Sequence, residues 1–169
     1  RKDIRLIGCM AHARRQFDQA RANDPQRAEA ALVYYQRLYQ LEREAREQGL
    51  SPGERQALRQ KQARPILEAL HQWLLENKPH VFPKSAIGKA IDYSLNLWPR
   101  LEAYVEDGRY EIDNNLVENA IRPLALGRKN YLFAGSPEAA QRAAVVYSLV
   151  ASCKAQQIDP LAWLTEVFT

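Results

Sequence analysis

The sequence predicts a mainly α-helical protein, and two observations carry that prediction. An Asp or Ser residue that can cap a helix stands directly before a proline at several points, a pattern typical of helix starts; these pairs are Asp24-Pro25, Ser51-Pro52, Ser136-Pro137 and Asp159-Pro160. Between these starts, large apolar residues recur every three or four positions, the spacing of a helix that buries one face. Residues 4–10 are the only convincing strand candidate.

Composition narrows the class of protein further. The 169 residues are 46% hydrophobic and 26% charged, enough for one domain or for one domain with an appendage. The net charge of +4 is compatible with nucleic-acid contact without requiring it. No apolar run approaches the roughly 18 residues of a membrane span, and the first residues lack the apolar stretch of a signal peptide. Two widely separated cysteines, Cys9 and Cys153, favour a cytosolic protein with free thiols.

The chain begins with Arg1 and enters an apolar run, residues 4–10, almost at once. This run is short and contains β-branched residues, which favours a strand, and a helical pattern follows it directly. A single strand leaves its backbone groups without partners, so its sheet lies upstream of Arg1 or in another chain, unless the strand is absent. We therefore expect the sequence to be part of a longer protein.

The next helices are interpreted as a helical subdomain. Asp24 caps the first of them and Gly49 ends it, while residues 51–54, Ser-Pro-Gly-Glu, form a capping box that opens the second. Pro65 is expected to kink or split that second helix, because proline removes one helix hydrogen bond. The charged run at residues 42–47 is most simply a solvated helix face.

The remaining helices are also predicted from capping residues at their starts and from a proline or glycine that kinks or ends them. After a loop at residues 77–83, Ser85 caps a helix that Pro99 kinks and Gly108 ends. Ser136 and Asp159 cap two further helices near the C-terminus.

Residues 111–136 are the least generic part of the sequence. They open with polar residues, after which one carboxylate, Glu118, sits among apolar neighbours. No further acidic residue follows before Glu138, whereas basic residues accumulate, namely Arg122, Arg128 and Lys129. A lone acid followed by a basic segment suits a metal ion held beside a polyanion, so the three basic residues are candidate phosphate contacts.

Glu118 also has a plain structural explanation. If Asn115 is the helix N-cap, Glu118 occupies the capping-box position, and it stands four residues before Arg122, a favourable spacing for an ion pair. The catalytic interpretation needs further carboxylates, because metal sites that act on phosphates take several acids from different elements. Residue chemistry leaves both interpretations open.

The basic residues are expected to leave the regular helix. A proline disfavours helical geometry in the residue before it, so Pro123 is expected to aim Arg122 outward. Arg128 and Lys129 fall in a predicted turn that begins at Gly127.

A short extended piece, residues 130–133, is predicted to follow that turn and to end before Gly135. Its Tyr131 could stack on an unpaired nucleic-acid base. The alternative is that Tyr131 and Phe133 belong to the protein core.

Three motifs connect the chain to a known family. They are residues 113–123, Asp-Asn-Asn-Leu-Val-Glu-Asn-Ala-Ile-Arg-Pro, residues 127–136, Gly-Arg-Lys-Asn-Tyr-Leu-Phe-Ala-Gly-Ser, and residues 8–17, Gly-Cys-Met-Ala-His-Ala-Arg-Arg-Gln-Phe. The first two resemble the C-terminal catalytic motif of the insertion-sequence-66 family of transposases. The third resembles another segment of that family, with Met10 where the family has Trp. The resemblance covers essentially the whole chain.

The resemblance implies the C-terminal part of a ribonuclease-H-like core of the Asp-Asp-Glu type. Residues 1–23 would supply its last strand and the helix after it, and residues 24–107 would be a helical insertion. Residues 108–169 would hold the catalytic helix, the basic turn and the C-terminal helices. Glu118 would be the catalytic Glu and a metal ligand.

The resemblance also implies cofactors and partners. In such transposases the acids hold Mg²⁺ or Mn²⁺ ions that activate water, and then a DNA 3′-hydroxyl, for attack at phosphate. The DNA of the transposon ends would be contacted by Arg122, Arg128, Lys129, Tyr131, Asn115 and Asn119. Transposases of this type act on two paired DNA ends, which implies a homo-oligomer. The implied location is the bacterial cytoplasm, with no membrane contact.

One part of the family pattern is missing from this chain. Both catalytic Asp residues of the family lie upstream of the segment around Gly8. We therefore expect a transposase fragment that binds no metal by itself and is inactive without its upstream part. The alternative is a non-catalytic helical module, a transposase remnant, that binds DNA or a partner protein.

Overall fold

The computed structural model describes residues 4–169, and the chain divides into two compact units, Arg1–Asn114 and Asn115–Thr169. The α-helices are, in chain order, α1 Met10–Ala20, α2 Pro25–Glu47, α3 Pro52–Leu58, α4 Arg64–Asn77, α5 Ala86–Asn96, α6 Trp98–Leu101, α7 Asn115–Tyr131, α8 Pro137–Ala155 and α9 Pro160–Phe168. A π-helical segment, Arg59–Ala63, joins α3 to α4, and 3₁₀ turns follow α4 and α6, at Lys78–His80 and Glu102–Glu106. The prediction of a mainly α protein is confirmed. The predicted division at residues 23 and 107 stays a prediction.

The strand predicted at residues 4–10 is wrong for the residues that the structure describes. Residues 4–9 have no regular secondary structure, and Met10 already begins α1. The Gly8 N–H donates to the carbonyl of Arg100 at 2.8 Å, and the Met10 N–H donates to the carbonyl of Ile112 at 3.1 Å. These bonds join the segment to two separate parts of the chain, so its backbone finds partners without a neighbouring strand.

The predicted helix caps are confirmed by their hydrogen bonds. The Asp24 carboxylate accepts the Arg27 N–H at 3.0 Å, and Ser51 forms both bonds of a capping box with Glu54. Side chains of Ser85, Ser136 and Asp159 likewise accept N–H groups in the first turns of α5, α8 and α9. Such caps contribute about 0.5–2 kcal/mol each. The first helix of the subdomain ends where expected, because Gly49 adopts a left-handed φ of 62°.

Both expected proline disturbances in the first unit are present. The π-helical segment Arg59–Ala63 lies immediately before α4, whose second residue is Pro65. Pro65 cannot donate the helix hydrogen bond to the residue four positions earlier, which loosens the turn before it. Pro99 lies in the short α6, after which the chain tightens into the 3₁₀ turn and leaves helical geometry before Gly108.

The core of the first unit forms where α1, α2, α4 and α5 meet. Phe17 of α1 lies between Tyr35 of α2, at 5.8 Å between ring centroids, and Trp73 of α4, at 6.4 Å. Further fully buried side chains include Met10, Leu38, Leu70, Leu74, Ile91 and Leu101. Burying each side chain of this size stabilises the fold by about 1.5–3 kcal/mol.

The expectation that residues 42–47 form a solvated face is wrong for Glu42, which is 1% exposed. Arg59, also 1% exposed, donates to both Glu42 carboxylate oxygens, from Nε at 2.7 Å and from Nη2 at 2.8 Å. Its remaining N–H groups donate to the carbonyls of Tyr104, Asp107 and Tyr110. The pair is buried because the π-helical segment brings Arg59 against α2, which a run of charges in sequence does not reveal.

The second unit, Asn115–Thr169, is built differently from the first. It contains α7, α8 and α9, and its residues are all described by the structure. Within it Cys153 alone is classed as buried. Large apolar side chains on its helices are exposed, including Leu116, Val117, Ile121, Val145, Val146, Leu161 and Phe168. A three-helix unit that exposes this much apolar surface gains little stability from its own core.

Candidate functional site

Helix α7 carries every residue that the sequence singled out for catalysis or DNA contact. These residues are Asn115, Glu118, Asn119, Arg122, Arg128, Lys129 and Tyr131. All of them are exposed. A chain segment of this composition becomes helical because its apolar residues recur on one side and its charged ends match the helix dipole: Glu118 lies in the first turn, and Arg128 and Lys129 in the last.

Two expectations about the end of this segment are wrong. Pro123 lies inside α7, so Arg122 keeps its helical position instead of being displaced from the helix. The helix also continues through Gly127 to Tyr131, where a turn and an extended piece were expected. The chain leaves the helix at Leu132, which adopts a left-handed φ of 61°. One lost hydrogen bond at Pro123 and one glycine do not outweigh the remaining helix hydrogen bonds and the charges that match the helix dipole at the two ends of α7.

Asn115 and Glu118 both lie in the first turn of α7. Asn115 is the first residue of α7, so Glu118 is its fourth residue. Glu118 thus lies where the positive end of the helix dipole favours a carboxylate.

The regular geometry of α7 decides which candidates share a face. At about 100° per residue, Glu118, Arg122 and Lys129 span only about 40° around the helix axis. Asn115 and Asn119 lie beside that stripe, about 60° and about 100° from Glu118. The stripe from Glu118 to Lys129 is about 16 Å long. Arg128 and Tyr131 lie outside it, on other sides of the helix.

Tyr131 is held by a contact within the second unit. Its hydroxyl lies 3.5 Å from the hydroxyl of Tyr147 in α8, and this hydrogen bond raises the pKa of Tyr131. Gly127 makes room for the pair, because a Cβ there would lie 2.8 Å from the Tyr131 ring and 2.9 Å from the Tyr147 hydroxyl. Tyr131 is 42% exposed and Phe133 76%, so neither belongs to a core in this unit.

The described residues contain no cluster of three or more His, Cys, Asp or Glu side chains arranged to hold a metal ion. On α7 itself, Glu118 is the one acidic residue. A site for Mg²⁺ or Mn²⁺ takes six or so oxygen ligands, usually with several carboxylates among them. Glu118 alone does not supply the carboxylates of such a site among the residues that the structure describes.

Sequence reasoning missed a cluster in the first unit that contains part of the residue 8–17 motif. The Tyr39 hydroxyl donates to Asp113 at 2.8 Å, and the Arg14 guanidinium lies over the Tyr39 ring, 6.0 Å from its centroid. Burial of the phenol, and then the bond to Asp113, raises the pKa of Tyr39. The motif thus packs next to the residues that lead into α7. In the sequence, the one available signal of this proximity is that residues 8–17 and residues 113–123 both resemble segments of the same family.

Comparison with known proteins identifies the family of this chain. Residues 1–142 match the family described as the Transposase IS66 family. This chain belongs to that family. The family accounts for the motifs on α1 and α7, and it connects the chain to transposition of insertion sequences.

Similar curated proteins occur in Sinorhizobium fredii (strain NBRC 101917 / NGR234), and all carry the name of uncharacterized proteins. Protein y4hP is 38% identical over 177 residues, covering 97% of this chain and 32% of its own length. Protein y4jD is 39% identical over 165 residues, with the same coverage, and y4qI is 39% identical over 167 residues, covering 98% of this chain and 31% of its own. The chain thus spans about one third of the length of these relatives.

No solved structure matches the chain significantly. Among the described residues, no helix combines the length and the apolar character that crossing a membrane requires.

Proposed function

We propose that this chain is the C-terminal part of a DNA transposase that cleaves DNA strands and transfers them with the help of divalent metal ions. The observation that carries the proposal is the stripe on α7, where one exposed carboxylate, Glu118, shares a face with Arg122 and Lys129. Membership of the Transposase IS66 family supports it. In this proposal Glu118 is the third carboxylate of an Asp-Asp-Glu set on a ribonuclease-H-like core.

The other two carboxylates would come from the upstream part of the full-length enzyme. The relatives are about three times as long as the segment they share with this chain, which leaves room for that part. Bound Mg²⁺ or Mn²⁺ would supply activation of water and stabilisation of charge at phosphate. Because Glu118 offers one carboxylate, the chain alone is proposed to hold no metal and to cleave no DNA.

The stripe divides the remaining work among the residues of α7. Arg122 and Lys129 neutralise phosphates beside Glu118, which steers a DNA strand toward the carboxylate. The amides of Asn115 and Asn119 can donate to phosphate oxygens or accept from base edges at the stripe's border. Arg128 and Tyr131, on other sides of the helix, contact flanking DNA in this proposal.

The partners follow from the same proposal. They are the DNA of the transposon ends, the upstream part of the transposase, and a second copy of the enzyme when two ends are held together. The proposed location is the bacterial cytoplasm, where that DNA lies.

The second candidate is a non-catalytic helical module that binds DNA or another protein. The observation that favours it is the single carboxylate on α7, together with the exposed apolar side chains of the second unit. In this case Glu118 acts only as a first-turn acid that stabilises α7.

The deciding experiment measures strand cleavage by the full-length transposase on duplex DNA that carries a transposon end, with Mg²⁺ or Mn²⁺. We expect Glu118→Gln to abolish cleavage while DNA binding persists. Glu138→Gln is the matched control, because Glu138 is also an exposed first-turn acid, in α8. Equal activity of both variants would favour the non-catalytic candidate. Metal-dependent cleavage by the 169-residue chain itself, lost in Glu118→Gln, would contradict the proposed dependence on the upstream part.

A further inference from the structure

We propose that the loop between α4 and α5 is a second DNA-binding surface, in which Phe82 contacts bases and nearby lysines contact phosphates. We call residues 78–85 the Phe82 loop. It belongs to the first unit and contains none of the residues of α7, so this surface goes beyond the proposed Glu118 site.

The exposure of Phe82 sets it apart from its unit. Phe82 is 84% exposed. Every other Phe, Tyr or Trp side chain that the structure describes in this unit is buried or half-buried. A large aromatic side chain that stays in water forgoes about 1.5–3 kcal/mol of burial. Among the described aromatic side chains of this unit, Phe82 thus has the largest exposed fraction, and it offers its ring to a partner.

The backbone on either side directs Phe82 outward. Val81 is extended, with φ −127° and ψ 150°, and it packs half-buried against the core. In extended backbone, adjacent side chains point to opposite sides, so an inward Val81 turns Phe82 toward solvent. Pro83 follows Phe82 and restricts it to extended geometry as well.

Hydrogen bonds and a tight contact then fix the loop. The carbonyl of Phe82 accepts the N–H of Ser85 at 3.0 Å and the Ser85 hydroxyl at 2.6 Å. A Cβ at Gly88 would lie 2.2 Å from the same carbonyl oxygen, so the loop can lie on α5 only with glycine there. An aromatic side chain on a loop held in this way loses little conformational entropy on binding.

The charges around Phe82 favour a polyanion. Residues 77–91 contain no acidic residue, and their basic residues are Lys78, His80, Lys84 and Lys89. Lys78 pairs with Asp92 at 2.8 Å. Lys84 and Lys89 are exposed, and neither forms an ion pair with a carboxylate of the described part of the chain.

These features fit DNA better than protein. Lysine is depleted in protein–protein interfaces but neutralises phosphates in DNA complexes. An exposed Phe beside such lysines can stack on an unpaired base or insert beside a base step of a duplex. The Phe82 loop and the first turn of α5 that follows it thus combine two kinds of contact, with phosphates through Lys84 and Lys89 and with bases through Phe82.

The test is equilibrium binding of the 169-residue chain to a labelled single strand of about 20 nucleotides and to the matching duplex, which exceed the usual site size. We expect Phe82→Ser to raise the dissociation constant about 10-fold on at least one of them, without changing the salt dependence. Phe82→Trp keeps an aromatic face and should restore binding. An effect on the single strand indicates stacking, and an effect confined to the duplex indicates insertion.

The lysines give a separate readout. Lys84→Gln/Lys89→Gln is expected to lower the slope of log affinity against log salt by about 2, because two phosphate contacts are lost. Phe168→Ser and Arg43→Gln/Lys61→Gln are the matched controls, since they change an exposed Phe and two exposed basic residues outside the loop.

Several outcomes would overturn the proposal. One is unchanged affinity of Phe82→Ser for both DNA probes. Another is a change in sedimentation of Phe82→Ser with DNA binding intact, which would make the loop a protein contact. A parallel Arg122→Gln/Lys129→Gln variant separates the two surfaces: if only the loop variants weaken binding, the proposed role of α7 fails and that of the Phe82 loop stands.

Discussion

Glu42 and Arg59 meet in the interior of the first unit, where water cannot compensate either charge. Each is 1% exposed, and every N–H group of the Arg59 guanidinium has an acceptor. A buried pair of this kind adds little compared with apolar residues, but removing one partner leaves an uncompensated charge. The three carbonyls that Arg59 binds all belong to residues 104–110, so this one side chain also orders the segment that precedes α7.

Arg59→Met is therefore expected to lower the free energy of unfolding by an amount near the lower end of about 3–5 kcal/mol, since buried Glu42 loses its two-pronged partner and keeps only the contact from Arg55 at 3.2 Å. Urea unfolding followed by circular dichroism measures the change. Arg5→Met is the control, because Arg5 and Glu106 form an exposed pair that is worth about 0–1 kcal/mol. Similar losses in the two variants would show that burial does not set the cost.

The two interpretations of Glu118 differ in what Glu118→Ala does to stability. A helix-capping role predicts a loss of about 0.5–2 kcal/mol in the free energy of unfolding. A metal-ligand role in the absence of metal predicts little loss or a gain, because functional groups are not placed for stability. We expect the second result. Ser51→Ala, which breaks an observed capping box, is the reference for the size of a true cap loss.

At the scale of the helices, the features that depend on a few neighbouring residues could be predicted from the sequence. The caps at Asp24, Ser51 and Ser85 depend on hydrogen bonds that span a few residues, so the sequence contains all that is needed to locate them. The strand at residues 4–10 depends on partners far along the chain, and the structure gives those backbone groups other acceptors. Inside α7, Pro123 and Gly127 are unfavourable for a helix, yet a Cβ at Gly127 would meet the Tyr131–Tyr147 pair, a local contact that helix propensity does not reveal.

In the candidate site, likewise, the identity of the residues could be predicted but their arrangement around the helix could not. The family motif identified the residues of α7, and helical geometry then separated Arg128 and Tyr131 from the stripe of Glu118, Arg122 and Lys129. The sequence could not make that separation while a turn was expected from Gly127 and an extended piece at residues 130–133.

Glycine positions inside helices give a direct test of helix packing. Gly88→Ala is expected to destabilise the protein by about 1–3 kcal/mol, since its Cβ would meet the Phe82 carbonyl at 2.2 Å. Gly53→Ala in α3 has open space around its Cβ and should stabilise by about 0.4–1 kcal/mol. Thermal unfolding of both variants measures this difference in sign. Stabilisation by Gly88→Ala would mean that the loop moves off α5 easily.

Across the whole molecule, stability is concentrated in the first unit. Its helices α1, α2, α4 and α5 surround a buried core, whereas α7, α8 and α9 expose most of their apolar side chains. Few buried contacts imply easy local opening. Under the proposed function, we expect Glu118 on this weakly packed unit to gain a fixed geometry when further protein or DNA covers the unit.

Native-state hydrogen exchange of the chain tests this uneven stability. Amides of α7–α9 are expected to exchange at least about 10-fold faster than those of α2 and α4, because a difference of about 1.4 kcal/mol in opening free energy suffices for that factor. Equal protection in both units would contradict it.

Alkaline pH is expected to unfold the first unit. Burial raises the pKa of Tyr35, Tyr39 and Tyr104 above the ordinary value of about 10. The unfolded chain therefore loses these protons first, so stability is complete below about pH 10 and falls as the pH rises beyond it. Thermal midpoints between about pH 8 and pH 12 measure the loss. A flat profile would contradict it, and Tyr39→Phe should reduce the slope.

The Glu42–Arg59 pair has one more consequence, which concerns the register of α2. If α2 slid by one helical turn, either Leu38 or Arg46 would take the place of Glu42 opposite Arg59. With Leu38 in that place, the Arg59 guanidinium would have no carboxylate partner in the apolar interior. With Arg46 there, two positive charges would face each other. Apolar residues recur regularly along this helix of 23 residues, yet only the observed alignment places an acidic side chain opposite Arg59.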